Sequence, residues 1–169
     1  WNNDFATVSG DDLLGYEAVI WQTGDNMTAV DEDDRAALDD YLAAGGNLFL
    51  AGDNILQSLY NQGGGARLWY QFKLRINYSS GTSGQYDVVG MPGTAGEGLE
   101  FTLTGGDPDQ LMLLNDQPVE VAFEFAGGEP AGTQTTYNDY QVMYLPFGLE
   151  KVPTSMEQTD LMIGVLDWF

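Results

Sequence analysis

Two neighbouring segments decide the fold: "YEAVIWQTGDN" (16–26) and "YLAAGGNLFLAGDN" (41–54), joined by "MTAVDEDDRAALDD" (27–40). The apolar run at 16–24 closes on a turn signal and reads as a strand buried on both faces. The joining stretch reads as a helix, with Thr28 as N-cap and Asp31, Glu32, Asp33 and Asp34 loading its positive end. Val30, Ala37, Leu38, Tyr41 and Leu42 form one apolar face, Arg35 and Asp39 are spaced to pair, and Gly45–Gly46 stop the helix. "NLFLAG" (47–52) is a second buried strand. Strand, helix, strand is a βαβ unit with parallel strands and a right-handed crossover. Both Gly-Asp-Asn triplets then end neighbouring strands at the edge where open α/β sheets bind ligands. That rim collects Asp25, Asn26, Asp53 and Asn54.

Outward from this unit, "NILQSLYNQ" (54–62) begins a helix broken at Gly63–Gly65, and "ARLWYQFKLRINY" (66–78) passes from helix to extended chain. "QYDVVG", "LEFTL" and "VEVAFEFAG" read as short strands. "MPGTAGEG", "TGGDPDQ" and "GGEPAGTQ" between and after them read as Gly/Pro turn material. We take residues 76–135 as a β-rich insertion in one domain spanning 1–169. "YQVMYLPFG" (140–148) is a further buried strand, with Glu150 just beyond it on the same rim. The closing helix has a Thr154–Glu157 capping box and an inward face of Leu161, Met162, Val165, Leu166 and Phe169.

The 169 residues suit one sizeable core, and 43% hydrophobic content excludes a disordered chain. Twenty-six acidic residues face five basic ones, a net charge of −21, which argues against nucleic acid and anionic membranes as partners. With neither Cys nor His, the chain has no disulfide, no thiol nucleophile and no imidazole base or ligand. No apolar run approaches a membrane span, and the abrupt "WNNDF" and "LDWF" ends read as cuts in a longer protein.

Two motifs carry a family resemblance. "YLAAGGNLFLAGDNIL" resembles the helix–strand–elbow of class I glutamine amidotransferase-like domains, where the elbow presents a nucleophilic Cys. "VMYLPFGLE" resembles that family's last core strand, which ends Phe-His-Pro-Glu. The match puts Gly52 (or Asp53, one residue on) at the nucleophile, Gly148 at the base and Glu150 at the acid. It implies an α/β fold: a three-layer, open, mostly parallel, flavodoxin-like sheet with an inserted β segment, lacking the family's first strand–helix unit. A sheet position left vacant by that unit invites filling by the N-terminal segment or by a second copy of the chain. Without nucleophile or base the amidotransferase reaction is not expected. The chain looks closer to non-catalytic accessory domains of secreted bacterial multidomain proteins.

The expected function is therefore a non-catalytic binding or scaffolding domain, secreted or cell-surface, whose partners are neighbouring domains or an extracellular ligand. Trp21, Trp69 and Tyr70 are candidate aromatic faces for a glycan or a neighbouring domain, weighed against core packing. Two alternatives stay open. One is a carboxylate-based hydrolase acting on glycans through Asp25, Asp53 and Glu150. The other is a calcium-stabilised module using the same three residues, although neither "DNMTAVDEDD" nor "GGDPDQ" matches an EF-hand loop. No other cofactor is expected.

Overall fold

The computed structural model describes residues 8–24, 26, 30–115 and 117–169; Asp25 and Thr28 lie outside them. The chain runs α1 (Gly10–Leu13), β1 (Ala18–Gly24), α2 (Glu32–Ala43), β2 (Asn47–Gly52), α3 (Ile55–Gln62), α4 (Gly64–Lys73) and β3 (Ile76–Ser80). It continues through β4 (Asp87–Gly90), β5 (Glu100–Thr102), β6 (Gln110–Leu113), β7 (Val119–Phe125), β8 (Pro130–Tyr137), β9 (Tyr140–Leu145) and α5 (Ser155–Trp168). Among the described residues no helix is long and apolar enough to cross a membrane.

The βαβ unit is present. β1 pairs parallel to β2 with Val19 opposite Leu48 and Trp21 opposite Leu50. β9 lies parallel on the other side of β2. The seven-stranded sheet has the order β1-β2-β9-β8-β7-β4-β5. Five strands (β1, β2, β9, β7, β5) point one way, while β8 and β4 run against them. β3 and β6 form a separate antiparallel pair.

Strand alternation builds two cores. Leu48, Leu50, Val142 and Tyr144 meet Leu38 and Tyr41 of α2, Ile55 and Leu59 of α3, and Trp69 and Tyr70 of α4. Phe49, Ala51, Met143 and Leu145 meet Phe123, Phe125, Phe147 and the α5 residues Leu161 and Val165. The result is three layers, the α/β open sheet expected.

Several local expectations are corrected. β1 is an edge strand, not one buried on both faces. Val19 and Trp21 turn toward the α2 side, while Ile20 is 50% exposed and lies outside the cluster that α5 covers. β2 hydrogen-bonds directly to β9, so no gap lies inside the sheet; among the described residues its open edges are those of β1 and β5.

The N-cap of α2 is Asp31, in a capping box with Asp34. Arg35 does not pair with Asp39. It donates instead to Val30 O and Gln62 Oε1, while Asp39 takes Trp69 Nε1 at 2.7 Å and Lys73 Nζ at 3.1 Å. An exposed pair within one helix is worth only a few tenths of a kcal/mol, and tertiary partners outbid it. Trp69 and Tyr70 are buried and Trp21 half-buried against the core, so none of the three is an open aromatic face. Leu166 is exposed, leaving Leu161 and Val165 as the buried line of α5. "PAGTQ" is part of β8, a buried strand beside β9, and "QLML" forms β6. The Thr154–Glu157 capping box forms as expected.

Candidate functional site

The rim is built at the ends of β1, β2 and β9. β2 stops at Gly52, and the chain turns through Asp53 and Asn54 into α3. Asn54 carries the left-handed backbone of the elbow (φ 61), two positions beyond the Gly52 that the resemblance selects. Gly52 has a different duty. A Cβ there would lie 1.9 Å from Thr23 Oγ1 and 3.2 Å from Gly24 O, so only glycine lets the two strand ends approach. Asp53 N donates to Gly24 O at 3.0 Å. The repeated Gly-Asp-Asn is thus joined through its backbone.

The Asp53 carboxylate is only 2% exposed. Asp107 N donates to its Oδ2 at 3.1 Å, and Gly106 (φ +100) lies so close that a Cβ would fall 2.7 Å from the same oxygen. Two residues on, Asp109 is fully buried and accepts from Leu56 N at 2.7 Å and Gln57 N at 3.2 Å. Helix α3 begins with no side-chain cap bond from Asn54. A carboxylate over fifty residues away in sequence therefore satisfies its first-turn amides. The Gly105–Asp109 loop plugs the elbow.

Electrostatics follow from this burial. The Asp109 carboxyl is pushed up to about 7, chiefly by desolvation, against the two amide hydrogen bonds, with Asp107 and Asp53 raising it further. The neighbouring Tyr144 phenol, fully buried, is raised well above its ordinary value by desolvation and then by the charges of Asp109 and Asp53. Among the described residues neither Asp109 Oδ1 nor Tyr144 Oη has a hydrogen-bond partner.

Glu150 sits in the short 3-10 turn after β9 and is exposed. Its Oε2 accepts from Gln22 Nε2 at 2.7 Å, and Lys151 Nζ is 3.8 Å from Oε1. A Cβ on Gly148, the base position of the resemblance, would lie 2.2 and 2.3 Å from the two Glu150 oxygens. Asn26 is exposed and its N donates to Thr23 O at 3.2 Å. Of the sequence candidates, the fold brings Asp53 and Asn54 into the elbow and holds Glu150 against β1; Asp25 is outside the described residues. Among those residues no three acidic side chains are gathered so as to hold a metal ion.

Sequence reading missed Asp107, Asp109, Tyr144 and Gln22. The paired glycines of "GGDPDQ" were a usable signal, because Gly marks close backbone approach. Chemically, the amides that an elbow would offer to an oxyanion are occupied by the chain's own carboxylate.

No family model matches the chain, and no curated protein does. Solved structures do share its fold. A protein from Thermoplasma acidophilum, described as part of a GMP synthase, superposes with a TM-score of 0.63 at 16% identity, over 95% of this chain and 76% of that one. A ThuA-like protein from Bacteroides uniformis gives 0.62 at 14% identity, over 99% and 74%. A β-galactosidase from Rahnella sp. R3 gives 0.58 at 18% identity, over 92% of this chain but 23% of its own. The chain thus spans under a quarter of that galactosidase. At these identities the likeness shows the fold alone, a three-layer α/β open sheet.

Proposed function

We propose that this chain is a non-catalytic binding or scaffolding domain of a secreted multidomain protein. One observation carries the reading: Asp109 fills the α3 N-terminus, and Gly106 and Asp107 close over Asp53. A substrate entering at the elbow would have to displace two buried carboxylates and their backbone bonds. It would find Gly at the resembled nucleophile and base positions, Gly52 and Gly148. The same fold makes up under a quarter of a β-galactosidase, so it does occur as one part of a longer enzyme. The acidic surface accords with a salt-rich or extracellular setting and with partners other than nucleic acid or anionic membrane. The open edge of β1, with Ile20 exposed, is where a neighbouring domain or a second copy would add.

The test is turnover. Ammonia release from glutamine and hydrolysis of chromogenic esters and aryl glycosides are measured for the chain and for Asp53→Asn and Glu150→Gln. No rate above buffer is expected in any case. Turnover that either substitution abolishes would overturn the reading in favour of a carboxylate-based hydrolase.

A further inference from the structure

A cavity of about 710 Å³ opens at the other end of the sheet from the elbow, between the C-terminal ends of α2 and α4 and the β8–β9 turn. Its volume falls in the range of small-molecule sites. Phe72, Lys73, Arg75, Tyr137, Asn138 and Asp139 line it. Arg75 is 8% exposed, and its charge meets no carboxylate among the described residues. Its guanidinium lies 3.9 Å from the Tyr137 ring centroid, Nη1 donates to Gln117 at 2.9 Å, and Nε has no partner. Arg75 and Asn138 are also two of the three non-glycine residues with positive φ among those described.

Charge balance selects the ligand class. Arg75 and Lys73 are positive, while Asp139 and Asp39, the latter paired to Lys73 at 3.1 Å, are negative. The two helix C-termini add roughly half a negative charge each. The sum is about one negative charge, which does not favour a free anion. What remains is a wall holding both donors (Arg75, Lys73, Asn138) and acceptors (Asp139, Asn138) beside the exposed ring of Phe72. Hydroxyls, which donate and accept, match such a wall, and the C–H face of a sugar ring matches an aromatic one.

We propose that this cavity is a saccharide-binding site for an uncharged mono- or disaccharide. The proposal deepens the binding-module reading and rests on it, but its test is independent of the turnover assay. Amide resonances of the 169-residue chain are followed while glucose, galactose, mannose, xylose, N-acetylglucosamine and lactose are added. Galacturonate and sodium acetate at matched ionic strength are the anionic arms. At least one neutral sugar is expected to shift the 72–75 and 137–140 amides. Phe72→Ala and Asp139→Ala should each weaken it about fivefold, equivalent to about 1 kcal/mol. Both side chains are exposed, so both variants should fold. Three results would overturn the proposal: no shift with any of the six sugars, shifts from galacturonate or acetate alone, or sugar shifts unchanged in both variants.

Discussion

Asp109 shows what a single residue contributes at the elbow. Its carboxyl is raised to about 7 from 3.8, so between about pH 4 and 7 the folded chain keeps a proton that the unfolded chain has lost. The sign is fixed by that difference: this group favours the fold most at the acidic end, and its contribution is lost as pH rises through about 7. Asp109→Asn retains an oxygen for the Leu56 and Gln57 amides but does not titrate. Urea unfolding at pH 5, 6, 7 and 8 should show stability falling with pH in the parent, by an amount on the order of a few kcal/mol, and a flatter slope in the variant. Parallel slopes would show that burial does not hold the proton. Gly106→Ala places a Cβ against Asp53 at a backbone angle of +100°, and should cost about 1–3 kcal/mol in the same assay. At this scale the sequence was legible where the chemistry is local, as in the Thr154–Glu157 box and the Gly52–Asn54 turn into α3. Asp109 was not legible, because its partners Leu56 and Gln57 are over fifty positions away and no local pattern links them.

Among the elements, β1, α2, β2 and β9 were readable because apolar runs and helical spacing have clear periods. β8 was not, since "PAGTQTTY" carries Gly and Pro and no apolar alternation. It is a strand for tertiary reasons. A Cβ on Gly132 would lie 2.5 Å from Leu145 Cδ2, so the glycine that looked like a turn signal is there for close packing between β8 and β9. β1 erred in the opposite direction: an apolar run does not reveal that, among the described residues, its second face is left uncovered at Ile20. That exposure makes the edge testable. Ile20→Lys places a charge on the open face, where it should leave the unfolding midpoint nearly unchanged. If copies join through β1, the substitution should convert a concentration-dependent dimer into a monomer in sedimentation equilibrium. A dimer that survives it places the contact elsewhere. Thr154→Ala removes the two hydrogen bonds of the Thr154 hydroxyl in the α5 box, leaving the Thr154 N to Glu157 bond, and should cost about 1 kcal/mol of stability, read as a lower urea midpoint.

The whole molecule is governed by its charge. Five cations cannot neutralise 26 acids, and the ion pairs Lys73–Asp39 and Lys151–Glu150 use two of those five. Repulsion among the remaining carboxylates opposes folding and is screened over about 10 Å at 0.1 M salt. Thermal unfolding should therefore shift upward as NaCl rises from 0.05 to 1 M. Calcium discriminates between a screened surface and a site. A cation that binds only the folded state adds RT ln(1 + [L]/Kd), about 2.7 kcal/mol at a hundredfold excess over Kd. Magnesium at the same concentration is the divalent control, because it resists dehydration where calcium accepts a flexible shell of oxygens. Since Asp53 is enclosed by the Gly105–Asp109 loop and Glu150 is held by Gln22, CaCl2 should raise the midpoint no further than MgCl2 or ionic-strength-matched NaCl. An excess specific to calcium, removed by Asp25→Asn with Asp53→Asn, would instead place a cation on the rim and make the Gly-Asp-Asn repeat a ligand set as well as a turn.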